Sequence, residues 1–426
     1  MAKNFKMLAK TLFGFEELLA KELRQLGASE IEIGNRSVSF EGDTGFMYKA
    51  NLNCRTAIKI LKPITGFNVF TEEDLYKKIY DIPWEDYMDK EDTLAVHATV
   101  FSEVFTHSHY ISLKTKDAIV DRFRDRTGIR PDVDLDAPSL QINIHIDRNI
   151  CTVSLDSSGD SLHKRGYKVE GSLAPINEVL AAGILMAADW QGQSDFLDPM
   201  CGSGTMLIEA AMIACQIPAN INRKRFAFES WKDFDPELYQ LIVNASLKRV
   251  REYRFKMKGF DLDSKMVDLA RRNVKSANLE EFITIDHLDF FKSEKQTEKP
   301  LFIAFNPPYD ERISLHDVEK FYSQIGDTLK QGYPGSQAWI ITSNMDALKS
   351  VGLRTSKKIK VFNGKLEARW VRYDMYEGSK KASKNQDNTL KKSEKEKQIF
   401  SDKNASKPVE STDKKPKRPR IKRNKL

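Results

Sequence analysis

The run DFLDPMCGSGTMLIEAA, residues 195–211, closes an apolar strand on Asp198-Pro199, turns sharply through Gly202, Ser203 and Gly204, and enters a helical pattern at Thr205. A ligand belongs beyond the carboxyl end of a strand placed this way, and glycine lets the backbone come close to it. A nucleotide phosphate fits poorly, because the loop has neither the GxGxxG spacing nor the lysine and hydroxyl of GxxxxGK[ST]. A carboxylate at Asp198 repels a pyrophosphate and attracts a ligand carrying an ammonium group. The alternative is an ordinary tight turn between strand and helix.

About sixty residues later GFDLDSKMVDLARRNV, residues 259–274, ends a strand in Asp261. An acid at this place on a neighbouring strand suits the two hydroxyls of a ribose. It is equally a carboxylate at a helix start, although Asp263 and Ser264 are better placed to cap. A third acid, Asp289 in HLDFF, follows the next strand, where it can accept from an adenine amino group while Phe290 packs near the ring. Three acids at three consecutive strand ends form one constellation.

The second chemical signal is AFNPPYDERI, residues 304–313. Pro307 and Pro308 lock φ and fix where the Pro307 carbonyl points. That carbonyl and the Asn306 side-chain oxygen can then accept both hydrogens of an exocyclic amine, leaving its lone pair aimed at a methyl donor. Tyr309 offers a face for a base to stack on. This is catalysis by positioning, worth up to ~7–11 kcal/mol of barrier, and needs no strong general base.

These residues require a scaffold of alternating strands and helices. From about Ala174 the chain predicts a helix opened by Pro175 and running to Trp190, then strand Asp195–Leu197 and helix Thr205–Cys215. A polar, partly aromatic insertion at about 216–250 follows. Strand Phe255–Phe260, helix Ser264–Ala277, strands Phe282–Ile285 and Leu301–Phe305, helix Val318–Leu329 and strand Ala338–Thr342 come next. Such alternation implies an α/β doubly wound parallel sheet. VFNGKLEARWVRYDMY closes it as a hairpin with Asn363-Gly364 at the turn.

The first 155 residues predict an α+β region. Its strands are Lys6–Lys10, Ser37–Phe40, Ala57–Ile64, Thr93–Val100, Leu140–Ile146 and Cys151–Leu155, the last two forming a hairpin. Helices are expected over 15–26, stopped by Gly27, and at Thr44–Asn51, Thr71–Ile79 and His109–Thr127.

The 426 residues carry a net charge of +7, unevenly spread. Residues 377–426 hold +10 and the remainder −3, which suggests a polyanion partner recruited partly by the tail. The tail has too few apolar residues to offset its ordering entropy and is expected to be disordered. No apolar run of 18 residues predicts a membrane span, and the first ten residues lack a secretory pattern. Cys54, Cys151, Cys201 and Cys215 are scattered, which suits reduced thiols in a cytoplasm and argues against a zinc site. His107 and His109 lack partners for metal binding.

The set DPMCGSGTMLIEAA, GFDLDSKM and NPPYDER resembles class I amino methyltransferases that use S-adenosyl-L-methionine. With SGDSLHKRGYK (158–168) and FNGKLEARW (362–370), residues 1–376 are similar to the THUMP-containing group typified by RlmL-type 23S ribosomal RNA guanine-N2 methyltransferases. The resemblance implies a ferredoxin-like piece (1–50), a THUMP RNA-binding domain (51–155), a Rossmann-like methyltransferase domain (156–376) and the basic tail (377–426). It places Asp198, Pro199, Cys201, Gly202, Gly204, Thr205, Asp261, Asp289 and Asn306 along the cofactor. Asn306, Pro307, Pro308 and Tyr309 fall at the target base.

It further implies 23S ribosomal RNA or its precursor as partner, with transfer RNA as the runner-up, and neither metal nor membrane. Asp310 stands where many relatives have glycine, and bifunctional members carry a second methyltransferase module after the first. An RNA-binding assembly factor with secondary methyltransferase activity is the reading from another class. The NPPY run alone also admits DNA adenine or a protein glutamine amide; the front half argues against both. His163, Lys164, Arg165 and Tyr167 either touch RNA phosphate or cofactor, or form a structural linker. Arg223, Lys224 and Arg225, near Trp231, either contact RNA or form a solvated loop.

Overall fold

The α+β elements of the front half join in a single sheet. The computed structural model describes residues 3–169, 176–308 and 315–376; Pro175, Tyr309, Asp310 and the segment 377–426 lie outside the described residues. The strands β1 (Phe5–Thr11), β2 (Ser29–Gly34), β3 (Ser37–Gly42), β4 (Ala57–Asn68), β5 (Thr93–Phe101), β6 (Asp132–Val133), β7 (Leu140–Asp147) and β8 (Ile150–Asp156) run in the order β2-β3-β1-β4-β8-β7-β5-β6. β4 joins the two halves, pairing with β1 over Ala57–Leu61 and with β8 over Leu61–Asn68.

Helices α1 (Glu16–Leu26), α2 (Thr44–Asn53), α3 (Glu72–Tyr80) and α4 (Ser108–Thr127) accompany this sheet. α1 buries Leu19 and Leu23 on one stripe and ends where Gly27 takes φ 105°, a conformation glycine adopts without a Cβ clash. Asp43 and Thr71 cap α2 and α3 through side-chain oxygens. β2 is an element that sequence patterning does not announce: as an edge strand it leaves most residues exposed, so no buried alternation marks it.

The second half holds α5 (Glu178–Ala187), β9 (Asp195–Asp198), α6 (Thr205–Ala214), α7 (Pro236–Leu247), β10 (Met257–Asp261), α8 (Ser264–Ser276), β11 (Ile283–His287), β12 (Leu301–Phe305), α9 (Leu315–Gly332), β13 (Gln337–Thr342), α10 (Ala347–Ser350), β14 (Thr355–Asn363) and β15 (Leu366–Asp374). Its sheet runs β11-β10-β9-β12-β13-β15-β14. The first five strands are parallel and β15 is antiparallel between β13 and β14. Alternate residues enter opposite cores: Phe196, Phe302 and Ala304 meet α5, α6 and α8, whereas Leu197, Ile303 and Phe305 meet α9 and α10. Burial on both faces explains the nearly continuous apolar strands.

Three expectations are corrected in detail. α5 begins at Glu178, capped by the Asn177 side chain, which accepts from the Val179 and Leu180 N–H groups. The insertion at 216–250 contains α7 and anchors itself with aromatic residues; Phe226, Phe228 and Trp231 are buried in the N-terminal core, with Phe228 stacked on Tyr48 at 4.4 Å. Asn363 pairs with Leu366, which places Gly364 (φ 63°) and Lys365 in the closing turn, one residue later than expected.

The halves are joined tightly. Phe15 inserts into the second core against Gly183, where an added Cβ would lie 2.1 Å from the ring. Arg55 donates to the carbonyls of Met212 and Ile217 at 2.9 and 2.6 Å, holding the end of α6. Buried Arg165 donates to Asn220 Oδ1 at 3.1 Å and faces Glu209, which accepts from the Tyr167 hydroxyl. Arg223 donates to the carbonyls of Ser158, Asp160, Ser161 and Lys164. Arg165, Tyr167 and Arg223 therefore clasp the linker, and their groups are engaged within the protein. Among the described residues no helix is long and apolar enough to cross a membrane.

Candidate active site

β9 and β10 set two of the three acids side by side, because Gly259 pairs with Asp198 and Asp261 follows two residues later. Gly202 at φ 50° turns the chain after Asp198, and its N–H donates to Asp261 Oδ2 at 2.9 Å. The other Asp261 oxygen accepts from the Asp263 N–H at 2.9 Å, while Asp263 itself caps α8 by accepting from the Lys265 N–H. Asp261 is therefore oriented toward the loop, and capping falls to its neighbour. Buried Asn273 fixes the loop from the other side, donating to the Ser203 carbonyl at 2.9 Å.

A cavity of about 400 Å³ opens at the carboxyl ends of these strands. It brings together Asp198, Pro199, Cys201, Gly202, Thr205, Asp261, Asp289, Asn306 and Pro308. Two candidates do not line it. Gly204, at φ 81°, starts α6 with its α-carbon against Ala270, so its glycine answers to conformation and packing. Pro307 is buried behind the surface. Tyr309 lies outside the described residues.

The cavity also has walls that sequence reasoning missed, among them Leu262, Met266, Phe291 and Phe321. Leu262 is 68% exposed, and the His287 ring nitrogen lies 2.8 Å from its carbonyl. An exposed leucine directly after a strand-end acid was the available signal for it. Met266 and Phe321 come from α8 and α9, and only the tertiary fold brings them in. Asp289 accepts from the Phe291 N–H at 3.0 Å and sets that ring at the rim.

The electrostatics select a cation. No lysine, arginine or histidine lines the cavity among the described residues. Burial pushes the Asp198 carboxyl well above the usual range against the opposing effect of the Met200 N–H, and nearby Asp261 pushes the same way. The Cys201 thiol is likewise raised by burial and by both carboxylates. At the far wall Asn306 Oδ1 is buried with no hydrogen-bond partner among the described residues, a costly state for an acceptor unless a ligand donates to it. A larger groove of about 540 Å³, lined by residues of β9, β10 and β11 and of the segment 293–299, carries lysines and glutamates and none of this constellation.

Cation-seeking chemistry at the carboxyl edge of this strand order is that of a class I methyltransferase, whose cofactor is S-adenosyl-L-methionine. Asp198, which makes no ion pair with a described residue, fits its ammonium group, and Asp261 has lone pairs left for a ribose. The chain belongs to the RMKL-like methyltransferase family: that family's methyltransferase domain matches residues 165–372, preceded by a RlmL ferredoxin-like domain at 6–61 and a THUMP domain at 70–156.

It is 37% identical over 394 residues to the ribosomal RNA large subunit methyltransferase K/L of Syntrophotalea carbinolica, covering 88% of this chain and 54% of that protein. The chain thus spans about half the length of that relative. A putative RNA methyltransferase of Synechocystis sp. is 36% identical over 85% of this chain and 95% of its own. Among solved structures, a putative methyltransferase complexed with SAH superposes with a TM-score of 0.79 at 30% identity, over 89% of this chain and all of that one. A Listeria monocytogenes protein described as a predicted N6-adenine-specific DNA methylase gives 0.78 at 27%, over 88% and 97%.

Proposed function

We propose that this protein methylates the exocyclic N2 amine of a guanine in 23S ribosomal RNA. The observation that carries an amine as target is the buried Asn306 Oδ1, without a hydrogen-bond partner among the described residues, on the wall of a cavity lined by three carboxylates. Large-subunit ribosomal RNA is favoured by the K/L relatives and the THUMP domain. Guanine N2 rests on the resemblance of the motif set to the RlmL-type enzymes.

When bound, the cofactor supplies an electrophilic methyl group. Asp198 holds the ammonium end, Asp261 the ribose and Asp289 the adenine amino group, while Leu262, Met266 and Phe291 exclude water from the rings. Asn306 Oδ1 accepts one hydrogen of the target amine; the Pro307 carbonyl, on a residue that does not line the cavity, is assigned the other on the NPPY motif alone. A guanine amino nitrogen is a poor nucleophile because its lone pair is delocalised into the ring. Accepting its hydrogens favours the pyramidal, partly positive nitrogen that develops during transfer, an interaction stronger in the transition state than in the ground state. Tyr309 is assigned to stack the base.

The Listeria relative's description favours adenine N6 as a second reading, since an NPPY site holds any exocyclic amine. One experiment separates them. Transfer of labelled methyl to an unmodified 23S transcript, followed by nucleoside mass spectrometry, should give N2-methylguanosine. Label in N6-methyladenosine, or in transfer RNA alone, would replace the proposal.

A further inference from the structure

The FNGKLEARW motif takes no part in the cavity. Residues 354–369, which take in β14, the turn and the first part of β15, carry six basic residues (Arg354, Lys357, Lys358, Lys360, Lys365, Arg369) against one acid, Glu367. Glu367 is shared by Lys360 and Arg369. Lys357 donates to the Ala187 carbonyl. Lys358 and Lys365 are exposed and make no ion pair with a described residue. Apolar surface is interleaved with this charge: Leu366 is 60% exposed, Phe13 is 47% exposed and meets Phe362 edge-on at 5.5 Å, and Lys360 Nζ lies 5.2 Å from the Phe362 ring centre.

The position matters as much as the composition. Thr342, at the carboxyl end of β13, pairs with Arg369, so the turn at Gly364-Lys365 projects beyond the end of the sheet where the cavity opens. Counting strands and residues from Asn306 at ~4.8 Å and ~3.3 Å respectively puts the turn roughly 20 Å from it. Lysines on an edge strand also block edge-to-edge pairing. Such protection explains neither the charge carried past the strand into the turn and onto β15 nor the apolar Phe13 and Leu366 left open beside it. Cations tracking a backbone with apolar rings between them is the pattern of single-stranded nucleic-acid binding.

We infer that the β14–β15 hairpin with Phe13 receives the single strand of RNA flanking the target nucleotide; this rests on RNA being the substrate. Lys358 and Lys365 meet phosphates, and Phe13 and Leu366 meet a base. The test is the Lys358→Gln/Lys365→Gln double variant, titrated with a 23S transcript across a salt series and assayed with labelled cofactor. Affinity should fall about tenfold, and log affinity against log salt should flatten by about 1.4, or ~0.7 for each phosphate no longer neutralised. KM for RNA should rise with kcat and cofactor affinity unchanged.

Lys275→Gln/Lys330→Gln removes the same charge at the opposite end of the sheet and should bind like the parent. Parental affinity and slope in the hairpin variant, or an equal fall in both variants, overturns the inference alone. A parent that binds no RNA overturns the RNA reading and the inference together.

Discussion

The backbone N–H of Gly202 donates to Oδ2 of Asp261 at 2.9 Å, tying the loop after β9 to the acid after β10. The glycine loop and the carboxylate proposed to face the ribose are thus joined by a hydrogen bond.

Asp261→Ala should therefore weaken cofactor binding twice over, by removing the acceptors and by releasing the loop. Each charge-assisted hydrogen bond removed is worth about 1.5–3 kcal/mol. Calorimetric titration with S-adenosyl-L-methionine measures it, and RNA affinity should stay at the parental value. An unchanged cofactor affinity would remove Asp261 from the site.

Asp198 should make cofactor binding depend on pH. Its carboxyl is raised by burial and by Asp261, so the free protein is most stable with Asp198 protonated. That contribution is fully present below the ordinary aspartate value of about 3.9 and is lost as pH rises through the raised folded-state value. A cationic ligand reverses the preference: binding releases a proton, and cofactor affinity should climb as pH rises through the same range. Asp198→Asn should abolish that climb. A pH-independent cofactor affinity in the parent would show that Asp198 meets no positive charge.

The contact between Phe15 and Gly183 ties the N-terminal sheet to the catalytic core. Gly183→Ala places a methyl group inside the ring's volume, and overpacking of this kind costs about 1–3 kcal/mol. Denaturant melts should show the destabilisation. Melting unchanged from the parent would mean that the two halves slide apart at little cost.

Much of this was legible in the sequence, for identifiable reasons. α8 and the β7–β8 hairpin follow regular apolar spacing, and the acids Asp198, Asp261 and Asp289 are legible because each ends a strand before a polar turn. What stayed hidden depends on contacts distant in sequence. The aromatic residues of 216–250 read as a polar insertion until Tyr48 supplied their partner. The sequence leaves Arg165 between an RNA or cofactor contact and a structural linker, and Arg223 between an RNA contact and a solvated loop; oxygens from other segments absorb both. Phe321 entered the cavity only through the packing of α9.

Asn306 carries the central claim, since its side-chain oxygen is a buried acceptor without a partner among the described residues at the proposed target amine. Single-turnover transfer of labelled methyl to the RNA, compared between the parent and Asn306→Ala, tests it directly. The rate should fall ~10²–10³-fold, as for removal of one preorganised polar group, with cofactor and RNA affinities near parental because the interaction belongs to the transition state. A fall of less than about tenfold, near 1.4 kcal/mol, would contradict the account and leave the amine to be held by another group.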